Sequence, residues 1–167
     1  ISVIVPCFNE SENINKTFSR IYECVSKFCK NFEIIFVDDG STDDSFSKLF
    51  LLSKENIELK IVKLSRNFGH QNAIFAGLEQ TSGDCIFIID ADLQDPPELL
   101  EEMLSKLKSE KLNVINAKRE KNNEKFFKKI TSYIFYYILN KISKTKISQQ
   151  VSDFRLIDRK VLNKLKN

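Results

Sequence analysis

Two acidic side chains one residue apart, Asp90 and Asp92, flank Ala91 at the end of an apolar run, Cys85–Asp90 (CIFIID). In an extended turn, residues two apart project to the same side. Two carboxylates so placed hold a hard divalent cation, which completes its shell with phosphate and water oxygens. Gln94, two residues further on, supplies another oxygen. This chemistry suits a diphosphate bridged by magnesium or manganese, the cation neutralising charge on a departing diphosphate. Two other apolar runs also end in polar clusters. Ser2–Pro6 leads into Pro6-Cys7-Phe8-Asn9-Glu10, and Glu33–Asp38 leads into Asp38-Asp39-Gly40-Ser41-Thr42-Asp43. Singly, such clusters serve as turns and helix caps. Gathered on one sheet edge, their carboxylates repel unless a cation or hydrogen-bond donors lie between them.

Other chemistries lack their residues. There is no Gly-x-x-x-x-Gly-Lys-Ser/Thr loop and no Gly-x-Gly-x-x-Gly fingerprint, which removes support for a P-loop ATPase or an ordinary dinucleotide-binding domain. No Gly-x-Ser-x-Gly elbow supports a Ser-His-Asp triad. The single histidine, His70, has no Cys or Asp at ligand spacing and reads as a surface or packing residue rather than a catalytic base. Cys7, Cys24, Cys29 and Cys85 form no paired zinc motif. They read as buried free thiols in a reducing compartment.

These clusters need elements to position them. Ser2–Pro6, Glu33–Asp38, Leu59–Leu64, Cys85–Asp90 and Val114–Ala117 read as strands, continuously apolar as buried parallel strands are. Helical patterns alternate with them: Ser11 to Lys30, with Ser11 as N-cap; Asp43–Ser53, capped from Ser41 to Asp43; Gly69–Gln80, weakened by Gly77; Pro97 to Lys108; and Glu124–Ile142. Alternation of this kind predicts an α/β fold, a mostly parallel sheet with helices on both faces. Ligands of such sheets bind beyond the carboxyl ends of the strands, where the polar clusters fall.

The chain has 167 residues, the size of one domain, with 42% hydrophobic and 29% charged residues. No run reaches the roughly 18 apolar residues of a membrane span. Net charge is +3, but residues 1–117 carry −7 and residues 118–167 carry +10. Such asymmetry points to a basic surface for phosphate groups, anionic lipid or nucleic acid.

Val5-Pro6-Cys7-Phe8-Asn9-Glu10, Val37-Asp38-Asp39-Gly40-Ser41-Thr42-Asp43 and Asp90-Ala91-Asp92-Leu93-Gln94-Asp95-Pro96-Pro97-Glu98 together resemble a family 2 glycosyltransferase of the GT-A, Rossmann-like fold. Ser152-Asp153-Phe154-Arg155-Leu156-Ile157-Asp158-Arg159 narrows the resemblance to the polyprenyl-phosphate branch, which includes bactoprenol glucosyltransferases and dolichyl-phosphate mannose synthases. The motifs span nearly the whole chain in the expected order.

The resemblance implies roles. Pro6, Phe8, Asn9 and Glu10 would line the nucleotide pocket. Val37 and Asp39 would flank the base, Asp39 accepting a hydrogen bond from it. Asp90, Ala91 and Asp92 would contact ribose and diphosphate, and Asp92, with Gln94 and Asp90, would hold Mg2+ or Mn2+. Lys118 stands where the family usually has an arginine for the donor phosphates, a point charge in place of a planar fork. The stretch Lys125–Ile138 mixes lysines with aromatics, as helices lying in a membrane interface do. Lys128 and Ser132 there, together with Arg155, would bind the phosphate of a polyprenyl acceptor. Asp153 is the candidate catalytic carboxylate, as base or as electrostatic stabiliser. The branch often continues into carboxy-terminal membrane helices. Residues 1–167 are therefore expected to be one catalytic domain truncated before them, working at the cytoplasmic face of the membrane with no nucleic-acid partner.

The expected reaction is transfer of a sugar from a nucleotide-sugar, with UDP favoured over GDP, to a polyprenyl phosphate. A single displacement inverts the anomeric carbon. Three alternatives were weighed. A sugar-phosphate nucleotidyltransferase usually has a Gly-rich, Arg-containing loop where this chain has Cys7-Phe8-Asn9-Glu10. A phospho-receiver domain wants its acceptor Asp after the third strand, which here ends in Leu64-Ser65-Arg66. A non-enzymatic nucleotide-sugar-binding module shares all the motifs.

Overall fold

The computed structural model describes residues 1–118 and 151–165. Residues Ile1–Ile115 and Asp153–Asn167 form one compact unit, and Asn116–Ser152 form a second. In the first unit β1 (Ser2–Cys7), β2 (Glu33–Asp38), β3 (Leu59–Lys63) and β4 (Cys85–Ile88) alternate with α1 (Ile14–Ser26), α2 (Ser45–Glu55), α3 (His70–Gln80) and α4 (Leu99–Ser109). Then come β5 (Val114–Lys118), β6 (Val151–Asp158) and a short α5 (Arg159–Leu165). The predicted helix Glu124–Ile142 and its residues Lys128 and Ser132 lie outside the described residues.

The strands form one sheet in the order β3-β2-β1-β4-β6-β5. The pairs β1–β2, β1–β4 and β2–β3 are parallel. The chain winds outward from β1 through β2 to β3, then crosses back to place β4 on the other side of β1. This reversal opens a crevice at the carboxyl ends of β1 and β4. Every residue of β1 and β2 is buried, so both faces of the sheet are covered. On one face Ile4, Ile35, Val37, Ile86 and Ile88 pack with Ala73, Ile74 and Leu78 of α3. Gly77 is what lets α3 sit so close. A Cβ there would lie 2.6 Å from Ile4 Cγ2 and 3.0 Å from Val37 Cγ2. The glycine read as a weak point of the helix is therefore its contact with the sheet.

One strand was not anticipated. Val151–Asp158 is a strand rather than a loop, and it runs antiparallel to β4, with Cys85 opposite Asp158 and Ile88 opposite Arg155. Its signal was alternation. Phe154 and Leu156 are buried, and the Phe154 ring meets Phe87 edge-on at 5.0 Å between centroids. Asp153, Arg155 and Ile157 take the opposite face, where Ile157 packs against the α3 cluster. The sheet is therefore mixed, though mostly parallel, and the α/β class stands.

The helix starts also move inward. α1 begins at Ile14 rather than Ser11, because the Ser11 N–H donates to the Asp43 carboxylate at 3.1 Å. The carbonyl of Glu10 takes the N–H groups of Asn13 and Ile14 instead.

Candidate functional site

The loops after β1 and β2 are tied into one rim. The Asn9 N–H donates to Ser41 Oγ at 2.9 Å, the Thr42 N–H donates to Asn9 Oδ1 at 2.8 Å, and the Glu10 N–H donates to Ser45 Oγ at 2.9 Å. Asn9 takes a left-handed backbone, φ +56°, to make this turn, a conformation Asn tolerates better than most residues. Asp38 is fully buried, and one of its oxygens accepts the Ser41 N–H at 3.0 Å. Asp43 accepts from Ser45 and Ser11.

The Asp39 carboxylate, almost fully buried, holds the approach to α3. Its Oδ1 accepts the Phe68 N–H at 2.8 Å and its Oδ2 the Gly69 N–H at 2.9 Å. Gly69 is the N-cap of α3 at φ +94°, a backbone that L side chains rarely adopt. Gly40 lies under the same loop, and a Cβ there would fall 2.3 Å from the carbonyl carbon of Arg66. The Asp39-Gly40 pair thus fixes residues 66–69 and, through them, the first turn of α3.

The loop after β4 is held from α1, where Thr17 Oγ1 donates to the Ala91 carbonyl at 2.8 Å. Leu93 is left-handed, φ +61°. Backbone in so sparsely populated a region stores strain and clusters at functional sites. The Gln94 N–H donates to Asp92 Oδ1 at 3.0 Å.

These loops surround a cavity of about 380 Å³ whose lining includes Pro6, Phe8, Glu10, Asp39, His70, Asp90, Ala91 and Asp92. Three predicted clusters therefore converge. Five of the predicted residues, Asn9, Val37, Gln94, Asp153 and Arg155, are not in the lining. Val37 lies in the core under α3 with no exposed surface, because alternation along β2 turns it into the sheet face. The Asn9 side chain is engaged with Thr42 on the rim. Cys7, Asn67, Gly69, His70 and Ala73 also line the cavity and were not singled out. The Cys7 thiol is pushed well above its ordinary range, by burial first and then by the charges of Asp38, Glu10, Asp43 and Asp39.

At the cavity an acidic pair approaches one imidazole. Ile88 lies opposite Arg155, and past the end of that ladder the Asp90 and Asp153 carboxylates both come near His70. Like charges brought close are destabilising. His70 Nε2 lies between them, 3.4 Å from Asp90 Oδ1 and 3.1 Å from Asp153 Oδ2. Gln71 Nε2 donates to Asp153 Oδ2 at 3.1 Å, and Arg155 Nη2 pairs with Asp153 Oδ1. Burial pushes the Asp90 carboxyl up; His70 opposes this, while Asp92, Asp95 and Asp153 add to it. His70 is exposed, in keeping with its reading as a surface residue, and it also lines the cavity and approaches two of the site carboxylates. No sequence spacing could have shown this, because it depends on the antiparallel strand β6.

Asp90 Oδ1 is buried without a hydrogen-bond partner. Such an oxygen, among other carboxylates, fits a hard cation. Among the described residues no three His, Cys, Asp or Glu side chains are arranged to hold a metal ion by themselves. A cation at Asp90 and Asp92 would draw its remaining ligands from phosphate and water. Lys118 ends β5, and its side chain lies outside the described residues.

The sequence and the fold have known relatives. The sequence profile described as glycosyl transferase family 2 matches residues 2–166. The chain belongs to this family. A Bacillus subtilis (strain 168) relative, "Uncharacterized glycosyltransferase YkcC", is 42% identical over 165 residues, 99% of this chain and 51% of that protein. The "Bactoprenol glucosyl transferase" of Shigella phage SfX is 36% identical over 166 residues, 99% of this chain and 54% of that protein. The chain thus spans about half the length of these curated relatives. Among solved structures, "Mannosyltransferase PcManGT from Pyrobaculum calidifontis in complex with GDP-Man and Mn2+" superposes with TM-score 0.70 and 24% identity over 98% of this chain and 46% of that one. "S. aureus TarS 1-349 in complex with UDP" superposes with TM-score 0.71 at 20% identity, over 99% of this chain and 48% of that one. These likenesses show the GT-A type of fold expected from the motifs. Among the described residues no helix is long and apolar enough to cross a membrane.

Proposed function

We propose that the cavity at the ends of β1, β2 and β4 binds a nucleotide-sugar and that the protein transfers its sugar, with inversion, to a polyprenyl phosphate at the cytoplasmic face of the membrane. The observation that carries this reading is the convergence of Pro6, Phe8, Glu10, Asp39, Asp90, Ala91 and Asp92 on one cavity at the sheet's switch point. Relatives named bactoprenol glucosyl transferase support the acceptor class. The UDP-bound fold neighbour favours a UDP-sugar. The GDP-mannose-bound neighbour keeps GDP as the second reading.

Each residue has a task under this proposal. Phe8 and Pro6 offer apolar surface to the base, and Asp39 keeps two of its roughly four acceptor positions for the base N–H groups. Asp90 and Asp92, with Gln94, would hold Mg2+ or Mn2+, which when bound supplies positive charge against the diphosphate leaving group. Lys118 adds a cation to the donor phosphates. Lys128, Ser132 and Arg155 would bind the acceptor phosphate. That phosphate is already an anion at neutral pH and needs no strong base. Asp153 therefore serves best as a fixed negative charge beside the sugar, where positive charge develops in the transition state.

The test is transfer of labelled sugar from UDP-glucose or GDP-mannose to a polyprenyl phosphate by the full-length protein, with NMR assignment of the product anomer. Lipid-linked sugar of inverted configuration, lost in Asp92→Ala, is expected. Hydrolysis without lipid product, or retention, would overturn the proposal.

A further inference from the structure

We infer that His70 and Gln71, the opening residues of α3, are positioning residues that hold the Asp153 carboxylate in its working orientation. The inference rests on the glycosyl-transfer reading above and gives the first turn of α3 a defined part in it.

Four observations converge. Where the β4–β6 ladder ends at Ile88 and Arg155, the Asp90 and Asp153 carboxylates converge on one imidazole, and like charges left alone there would turn apart. His70 Nε2 stands between them, 3.1 Å from Asp153 Oδ2, while Asp90 Oδ1 keeps no hydrogen-bond partner. Gln71 Nε2 donates to the same Asp153 oxygen at 3.1 Å, and Arg155 takes the other oxygen. With donors on both oxygens, the carboxylate plane is fixed rather than free to rotate. Finally, the helix that carries both residues is itself anchored, by the Asp39 carboxylate on the N–H groups of Phe68 and Gly69 and by Asn72 Nδ2 donating to the Phe68 carbonyl at 2.7 Å.

The chemical consequence is directional. A fixed charge stabilises a developing cation only if it is held where that charge appears. Asp39, which lines the cavity, sets the start of α3. The start of α3 in turn sets Asp153. Binding of the nucleotide and orientation of the carboxylate thereby share one rigid turn.

The experiment compares the full-length wild-type protein with His70→Ala, His70→Gln, Gln71→Ala, Asp153→Ala and the His70→Ala/Asp153→Ala double variant. Each is assayed for transfer, and His70→Ala is also crystallised. His70→Ala is expected to lower kcat by about 10- to 100-fold, the cost of a misplaced catalytic group, with the KM for the nucleotide-sugar little changed. His70→Gln, which keeps an amide donor at the Nε2 position, is expected to restore most of the rate. The double variant should be no slower than Asp153→Ala. In crystals of His70→Ala, the Asp153 carboxylate should leave the orientation in which it accepts from Gln71. An unchanged kcat in His70→Ala, no rescue by Gln, or multiplicative losses in the double variant would overturn the inference. A wild-type protein with no transferase activity would refute the glycosyl-transfer reading instead. The clamp would then stand or fall on whether Asp153 moves in the His70→Ala crystals.

Discussion

Asp39→Ala removes the acceptor of two backbone N–H groups at the entry to α3, those of Phe68 at 2.8 Å and Gly69 at 2.9 Å. Hydrogen bonds to a charged group contribute about 1.5–3 kcal/mol each where desolvated. Asp39 itself is buried, but both bonds are only partly so. Water reaching the freed N–H groups recovers part of the loss. The expected destabilisation is therefore about 2–3 kcal/mol, below the simple sum of two such bonds. Against a domain stability of about 5–15 kcal/mol, the protein should still fold. The loop 66–69 would nevertheless lose its anchor, and nucleotide affinity should fall with it. Asp39→Asn should cost nearly as much as Asp39→Ala. It keeps one acceptor, but it presents an NH2 group to one of two N–H donors. Urea unfolding read by circular dichroism, together with calorimetric titration of UDP, measures both effects. A stability loss under about 0.5 kcal/mol, the range of ordinary surface substitutions, would refute the anchoring role.

Three further outcomes are expected. Phe154→Ala empties a fully buried site beside Phe87 and should cost about 3–5 kcal/mol in denaturant unfolding. A near-neutral result would show that β6 does not pack as described. Gly77→Ala gains about 1 kcal/mol of helix propensity, but its Cβ meets Ile4 Cγ2 at 2.6 Å. Overpacking costs about 1–3 kcal/mol, so the melting temperature should fall, and a rise would refute the tight α3 contact. Burial pushes the Glu33 carboxyl up, but hydrogen bonds from Lys60, Ser2 and Ser82 outweigh it and hold the pKa at about 2, below the ordinary 4.5. That depressed value stabilises the fold above pH 4.5, and the contribution drains away as pH falls toward about 2. The stability gap between wild type and Glu33→Gln should therefore narrow over that interval, and a constant gap would contradict the assignment.

Much of the architecture was legible because β1, β2 and β4 are runs of apolar residues ending in polar clusters, and buried parallel strands are written that way. The convergence of Glu10, Asp39, Asp90 and Asp92 followed from that alternation alone. What was not legible depended on contacts between distant residues. The start of α1 shifts because Asp43 captures the Ser11 N–H from another loop. Val37 sits in a motif of the nucleotide site, yet strand alternation turns it into the core. Gly77 looks like a helix weakness until the close approach of Ile4 is known. The largest omission was β6. Its alternation of Phe154 and Leu156 with Asp153 and Arg155 is short and interrupted by charge, so it read as a motif rather than a strand. Because β6 brings Asp153 to within 3.1 Å of His70, missing the strand also meant missing that contact.

The most direct test of the central claim is the thermal stability of the protein with UDP or GDP, each with and without manganese. A ligand at ~100 times its dissociation constant adds about 2.7 kcal/mol to the folded state. One nucleotide, UDP by this account, should raise the melting temperature only in the presence of manganese, and Asp92→Ala should abolish the shift. No shift with either nucleotide at saturating concentration would contradict a nucleotide-sugar site at the ends of β1, β2 and β4.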